Sequence, residues 1–268
     1  MDKKKTAAHS QKTSYAAQRR NILNKNTSFH VREAFKSLRT NIRFFQSSEG
    51  CRKFCLTSSV ASEGKSITIL NLAITFAESN QRVLLIDADL RRPSLARLLI
   101  EKASPGLSNV LAGLCTEEEA IRKNVYPNLD VMLSGDIPPN PSELLGSENM
   151  QEFIKQSKEK YDIIIIDTPP ALNILTINAY VCSNALIVPM EAEILSLVGV
   201  TQLQETIETV RDSFNPDLKV LGLLLNKFTP RFVLSREVLD LADEVARQLG
   251  TRVFRAKVRR SVHVATAP

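Results

Sequence analysis

Three apolar segments that end in polar residues decide the fold: Cys55-Leu-Thr-Ser-Ser-Val-Ala-Ser-Glu-Gly-Lys-Ser66, Val83-Leu-Leu-Ile-Asp-Ala-Asp-Leu-Arg91 and Ile163-Ile-Ile-Ile-Asp-Thr-Pro169. Such runs are typical of buried parallel strands, which carry their chemistry at their carboxyl ends. The first run leads into a loop that contains Gly64 and then into a helical pattern, so backbone N–H groups can wrap a phosphate chain at a helix N-terminus. Together the segments predict a nucleotide-phosphate site.

The side chains of this predicted site suit the chemistry of a bound nucleotide. Lys65 would reach the β- and γ-phosphates, and the Ser66 hydroxyl would ligate Mg²⁺. Asp87, Asp89 and Asp167 end the other two strands, and such carboxylates can hold the metal and its waters. A chance loop is the alternative for the Gly-Lys-Ser triplet taken alone. Two further strand-plus-acid motifs in the right order argue against it.

Phosphoryl transfer requires mainly positioning and charge neutralisation, and this requirement gives each residue a role. We assign Lys65 to the transferring group, Asp167 to metal-bound water, and Asp87 to the role of base or metal-water partner. Asp89 would support the metal shell. Arg91 would neutralise phosphate or bind across a subunit interface, and a solvated basic loop is its alternative. The catalytic prediction is thus Lys65, Asp87, Asp89 and Asp167, and the metal prediction is Ser66, Asp87 and Asp167.

The length of 268 residues suits one α/β domain with a large core. No apolar run approaches the roughly 18 residues that span a bilayer, and Met1-Asp-Lys-Lys-Lys5 precedes no apolar signal region. We therefore expect a cytoplasmic protein. The four cysteines lack zinc-site spacing and are expected to be reduced.

The positive charge is concentrated at the N-terminus. The first 25 residues carry seven Lys or Arg and one Asp, which accounts for the net charge of +6 of the whole chain. Residues 1–28 are predicted to be a disordered basic leader, and residues 29–268 a single domain. The leader could lie on an anionic membrane or on nucleic acid. A solubilising leader without a specific partner is the alternative.

Periodicity predicts strands that alternate with helices. Helices are expected over residues 29–45, 65–79, 93–99, 107–112, 148–158, 197–214 and 235–249, and strands over 53–58, 82–87, 129–133, 161–167, 185–189, 219–225 and 252–254. This alternation predicts an α/β fold with a mostly parallel sheet flanked by helices on both faces and a site at the carboxyl edge of the strands.

The motifs resemble the bacterial tyrosine kinases of capsule and exopolysaccharide synthesis (the CpsD/CapB type), members of the deviant phosphate-loop ATPases that include ParA and MinD. Asp87-Ala-Asp89-Leu-Arg91 is similar to the strand-two motif of that kinase family. Glu33-x-x-Lys36-x-x-Arg39 resembles its oligomerisation helix. Pro105-Gly-Leu-Ser-Asn-Val-Leu-Ala-Gly113 and Pro138-Pro-Asn-Pro-Ser-Glu-Leu-Leu145 also match. The resemblance implies ATP and Mg²⁺ as cofactors and protein tyrosines as substrates.

After Pro170 the sequence resembles ParA more closely, as in Leu175-Thr-Ile-Asn-Ala179 and Phe214-Asn-Pro-Asp-Leu218. Val60 stands where ParA and MinD have a signature lysine, which weakens the partition interpretation. The kinase family ends in a tyrosine cluster, whereas this sequence has only Tyr15, Tyr126, Tyr161 and Tyr180. Both families would be expected to continue into a further helix beyond Pro268, so a truncated sequence is one expectation.

The phosphate loop also departs from the family pattern. Ser59 and Ser62 stand where glycine is usual, and Ile67 where a hydroxyl commonly contacts the α-phosphate, so nucleotide affinity is expected to be reduced. Asn226 matches the adenine-reading position of the family, although turns favour Asn for other reasons. The cofactor-binding prediction comprises Ser59, Ser62, Glu63, Gly64, Lys65, Ser66, Ile67, Arg91 and Asn226.

Two functions remain open from the sequence. The first is an ATP-dependent tyrosine kinase that works with a membrane-embedded chain-length modulator, peripheral to the inner face of the membrane, and that assembles through Glu33, Lys36 and Arg39. The second is a partition-type ATPase whose ATP-bound form binds DNA or membrane. From Lys227 onward nine basic residues face four acidic ones, which suits phosphate binding or an ordinary surface. The strand-two motif and Val60 favour the kinase, whereas the C-terminal third and the missing tyrosine tail favour the partition type.

Overall fold

The computed structural model describes residues 16, 18–44, 50–58, 63–169, 174–191, 194–226 and 234–258. Its helices are α1 Phe29–Phe44, α2 Lys65–Ala77, α3 Leu95–Leu99, α4 Leu107–Leu111, α5 Glu117–Ala120, α6 Pro141–Leu145, α7 Glu148–Lys160, α8 Ile174–Val181, α9 Ile194–Ser213 and α10 Leu234–Gln248. Its strands are β1 Arg52–Leu56, β2 Val83–Asp87, β3 Ile121–Tyr126, β4 Leu129–Met132, β5 Ile163–Asp167, β6 Ala185–Glu191 and β7 Lys219–Asn226.

Within the described residues, seven strands form one sheet in the order β3-β4-β2-β5-β1-β6-β7. All neighbouring pairs are parallel except β3 with β4, which is antiparallel. The central strands β1, β2 and β5 are the three that the sequence predicted to carry the site. Asp87 and Asp167 are register partners at the ends of β2 and β5. The prediction of a mostly parallel α/β sheet is confirmed.

The central strands β2 and β5 are apolar up to their terminal aspartates because the sheet is buried on both faces there. One face, with Cys55, Ile86 and Ile166, packs against helices that include α7. The other face, with Phe54 and Leu85, packs against α1 and α2. Helix α2 is almost entirely buried, since it lies between the sheet and the amphipathic helix α1. The helix behind the phosphate loop is therefore held firmly in the core.

Several elements differ from the sequence-based expectation, and the short helices α5 and α6 are among those not predicted. Strand β3 was not predicted, because Arg122, Lys123 and Asn124 break its apolar pattern and it pairs on one side only. Helix α8, which was also not predicted, begins soon after the prolines that follow β5. The predicted strand at residues 252–254 is a single parallel bridge between Val253 and Leu223.

The last part of the predicted leader is packed against the domain rather than disordered. Ile22 and Leu23 are buried, and the Leu23 backbone N–H donates to Asn71 Oδ1 on α2 over 2.8 Å. The Asn71 amide donates in return to the Asn21 carbonyl over 2.9 Å. Two apolar side chains and one buried amide are enough to hold this turn, so the prediction of disorder through residue 28 was wrong for residues 21–23.

None of the described helices is both long and apolar enough to cross a bilayer.

Candidate nucleotide site

Helix α2 begins at the phosphate loop with a residue in the left-handed region. Gly64 has φ 79° and caps the helix without a side-chain hydrogen bond. A residue with a Cβ is strained in this conformation, which explains glycine at this position. The first N–H groups of α2 lack intrahelical acceptors and favour an anion. Ser59 and Ser62, which belong to the predicted loop, lie outside the described residues, as does Val60.

Lys65 and Asp167 form a buried ion pair at the centre of the site. The Lys65 ammonium contacts Asp167 Oδ1, and the two side chains are 7% and 1% exposed. A lysine is rarely buried to this extent without a carboxylate partner. The pair therefore holds the Lys65 ammonium at the carboxyl edge of the sheet, beside the start of α2.

Asp87 lies beside this pair and is held by backbone donors. Its Oδ2 accepts from the Leu95 N–H over 3.2 Å, and its Oδ1 accepts from the Asp89 N–H over 3.3 Å. Burial, reinforced by the neighbouring carboxylates of Asp167 and Asp89, raises the pKa of Asp87 to about 8. Burial also raises the pKa of Asp167, although the Lys65 ammonium opposes the shift. The site thus concentrates more carboxylate than its own lysine can neutralise.

Ser66 and Asp89 each have a partner on the loop after β2. The Ser94 hydroxyl donates to Ser66 Oγ over 2.7 Å, and Asp89 Oδ1 accepts from the Arg92 N–H over 2.9 Å. Ser94 was missed by the sequence analysis because nothing in its local pattern marks it as a partner of Ser66. Arg91 is exposed at the rim of the site and is not drawn into the buried cluster.

Asn226 contacts the phosphate loop from the end of β7. Its amide donates to the Glu63 carbonyl over 2.6 Å and to Thr68 Oγ1 over 3.1 Å. These contacts tie β7 to the loop. The Glu63 side chain is buried, and Ile67 packs at the edge of the core. The structure therefore places Asn226 against the phosphate loop. Its assignment to adenine stays a prediction.

The donor set fits Mg²⁺ with a nucleotide. No group of three or more His, Cys, Asp or Glu in the described ranges could hold a metal by itself. Mg²⁺ usually takes one or two protein oxygens and completes its shell with phosphate and water. The Ser66 hydroxyl, with Asp87 and Asp167 behind it, offers such a partial shell. A divalent cation would also neutralise the carboxylates that raise one another's pKa.

Comparison with known proteins defines the class. The model of an AAA domain family, AAA_31, matches residues 59–220. With the phosphate-loop helix and the parallel sheet, this match makes the protein a phosphate-loop ATPase by fold. The chain belongs to this AAA domain family.

Two relatives in this family have different names. The chain is 34% identical over 195 residues to tyrosine-protein kinase YwqD of Bacillus subtilis, covering 72% of this chain and 80% of that protein. It is 35% identical over 214 residues to the chromosome partitioning protein ParA of Caulobacter vibrioides, covering 76% and 79%. Similarity alone therefore does not separate kinase from partition protein.

A solved structure supports the nucleotide site. Cobyrinic acid a,c-diamide synthase of Mycobacterium smegmatis, with a bound ATP analog and magnesium, is similar with a TM-score of 0.69 and 25% identity. The match covers 79% of this chain and 88% of that chain. The same fold therefore holds a nucleotide and Mg²⁺ in a related protein.

Proposed function

We propose that the protein is an ATP-dependent protein-tyrosine kinase of the capsule and exopolysaccharide type. The observation that carries the proposal is the strand-two motif: Asp87 and Asp89 are both buried beside the Lys65–Asp167 pair. Asp89 is a second carboxylate at the end of β2. The site therefore has one carboxylate more than a metal ion and its bound waters would use. One of the acids can then serve as the base for an acceptor hydroxyl.

In this proposal each side chain acts on the transferring group or on the acceptor. Lys65 exchanges Asp167 for phosphate oxygens when ATP binds. Mg²⁺ held by Ser66 would neutralise charge between the β- and γ-phosphates. Asp87 takes the phenol proton as the tyrosine oxygen bonds to the γ-phosphorus and the bond to the β-phosphate oxygen breaks, releasing ADP. Because Mg²⁺ would favour the ionised carboxylate, Asp87 can accept the phenol proton in the complex although burial raises its pKa in the unliganded site.

We propose that the acceptor tyrosine lies outside the described part of this chain or on another protein. Tyr161 and Tyr180 are buried, and Tyr126 is partly buried. A phenol must reach the γ-phosphate, and these three are held in the core or at its margin. Other protein tyrosines are therefore the expected substrates, and Tyr15 is a candidate within the sequence.

We also propose that the chain assembles through α1. The contact residues would be Glu33 and Lys36, without Arg39. Glu33 and Lys36 form an ion pair over 2.9 Å and are 44% and 42% exposed, so they are available to a partner. Arg39 instead donates to the Thr75 carbonyl on α2 over 2.7 Å. We propose that Glu33 and Lys36 contact a second copy of the chain. Arg39 would hold α1 against α2 and so keep that surface in place. A membrane-embedded modulator remains the proposed activator, at the inner face of the membrane.

Incubation with γ-labelled ATP tests the kinase proposal. Phosphotyrosine should form in the presence of a candidate cytoplasmic segment of the modulator and should be absent with Lys65→Met. Labelled inorganic phosphate without phosphoamino acid would contradict the transfer to tyrosine and leave an ATPase.

The second candidate function is a partition-type ATPase, which the identity to Caulobacter ParA favours. Such a protein should bind duplex DNA only with ATP, and its affinity should fall steeply as salt rises. A kinase should bind DNA only through the basic leader, without regard to nucleotide. Fluorescence anisotropy on the full chain and on a variant lacking residues 1–20, which keeps the packed residues Ile22 and Leu23, separates the two. ATP-dependent binding that survives the deletion would favour the partition protein.

A further inference from the structure

A buried hydrogen bond between two hydroxyl groups lies at the end of β1, where the chain leads into the phosphate loop. The Tyr180 phenol donates to Thr57 Oγ1 over 2.7 Å, and both residues are 0% exposed. Thr57 is the first residue after β1, on the way to the phosphate loop, and Tyr180 is near the end of α8, the first helix after Asp167. The bond therefore joins the two chain segments that contribute Lys65 and Asp167.

The end of β1 is held on both sides. Thr168, which follows Asp167, donates its hydroxyl to the Leu56 carbonyl over 2.9 Å. The Thr57 N–H donates to the Ile187 carbonyl on β6 over 3.2 Å. The backbone of Thr57 is thus fixed by the sheet, and its side chain is fixed by Tyr180.

We propose that Tyr180 is a positioning residue for the nucleotide, because its hydroxyl fixes the start of the phosphate loop relative to Asp167 through Thr57. A shift of about 1 Å in a catalytic group can cost on the order of a hundredfold in rate. The inference rests on the proposed nucleotide site, but not on the identity of the phosphoryl acceptor.

A buried tyrosine needs a hydrogen-bond partner in any case, so the choice of partner carries the argument. The partner of Tyr180 is Thr57, which leads into the phosphate loop. The hydrogen bond therefore joins helix α8 to the end of strand β1. The end of α8 is itself fixed, since the Asn215 amide donates to the carbonyls of Tyr180 and Ser183 over 3.0 and 2.8 Å. Burial keeps the pKa of the Tyr180 phenol well above its ordinary value, so the donor stays protonated at physiological pH.

Mg·ATP affinity and kcat/KM for ATP hydrolysis test this inference on the full chain. Tyr180→Phe removes only the hydroxyl, and Thr57→Val removes only its acceptor. Each should lower affinity or kcat/KM by about three- to tenfold, the equivalent of one lost hydrogen bond. The double variant should be no worse than either single variant, because both remove the same bond. Thr57→Ser keeps the acceptor and should retain near wild-type values.

Tyr161→Phe is the matched control. Tyr161 is also buried, and its hydroxyl donates to Asp130 Oδ2 over 2.7 Å. Tyr161 comes just before β5, at the amino end of that strand and therefore at the end opposite to the nucleotide site. It should lower Tm without changing nucleotide affinity. If Tyr180→Phe behaves in the same way, or if the losses of the two single variants multiply in the double variant, the inference is overturned. Failure of the wild type to bind ATP would instead overturn the nucleotide site, and the inference with it.

Discussion

Binding of Mg²⁺ and ATP should release a proton from Asp87. In the unliganded site, burial and the carboxylates of Asp167 and Asp89 raise the pKa of Asp87 to about 8. With that pKa, about 0.9 of the molecules hold a proton there at pH 7 and about 0.1 at pH 9. Mg²⁺ in the site favours the ionised carboxylate. The release should therefore fall from about 0.9 proton at pH 7 to about 0.1 at pH 9.

Isothermal titration calorimetry in buffers of different ionisation enthalpy measures this release. Asp87→Asn removes the titrating group and should abolish the pH-dependent part. Asp162→Asn is the matched control, because Arg82 holds the pKa of Asp162 below its ordinary value and the carboxylate is already ionised at pH 7. Equal proton release at pH 7 and pH 9, or unchanged release in Asp87→Asn, would refute the reasoning.

The raised pKa also sets the pH dependence of stability without nucleotide. Between the ordinary carboxyl pKa and about 8, the folded state holds a proton on Asp87 that the unfolded state has lost. The free energy of unfolding should therefore fall as pH rises through this window. Denaturant titration with and without Mg·ATP checks it, and Mg·ATP should reduce the fall. A free energy of unfolding that rises between pH 5 and pH 8 would contradict this assignment of sign.

Four further substitutions test the contacts of single side chains. Lys65→Met should abolish ATP turnover in a protein that still folds, as measured by phosphate release alongside circular dichroism. Asp167→Asn should reduce turnover by at least about a hundredfold and leave a buried lysine unpaired, so it should also lower Tm; wild-type rate and metal dependence would remove Asp167 from the site. Lys36→Glu should lower the assembly mass in light scattering, whereas Arg39→Glu should also destabilise the fold, because Arg39 donates to the Thr75 carbonyl. An unchanged mass for Lys36→Glu would make that face ordinary surface.

The central strands of the sheet were predictable because each of them can be recognised from the sequence alone. Ile163–Asp167 is fully buried on both faces, so its apolar run needs no tertiary information to be recognised. The edge strand Ile121–Tyr126 is exposed along much of its length and pairs on one side, so its sequence resembles a polar loop. Continuous apolar runs identify buried strands, whereas an exposed edge strand has no such run.

The same contrast holds for the site. Lys65, Asp87 and Asp167 lie at strand and helix ends, where the topology of a parallel sheet must bring them together. The contacts of Ser94 with Ser66 and of Tyr180 with Thr57 depend on loop paths and helix packing, to which no local pattern corresponds. The bond from Arg39 to the Thr75 carbonyl within the fold likewise has no local pattern in the sequence.

Transfer of labelled phosphate to an external acceptor tests the central claim most directly. A Glu–Tyr copolymer supplies exposed tyrosines, which the described part of this chain does not offer. Wild-type protein with γ-labelled ATP and Mg²⁺ should produce phosphotyrosine in the copolymer, and Asp87→Asn should reduce it by at least about a hundredfold. Hydrolysis of ATP by the wild type with no phosphotyrosine in the copolymer, with or without a modulator segment, would contradict the kinase account.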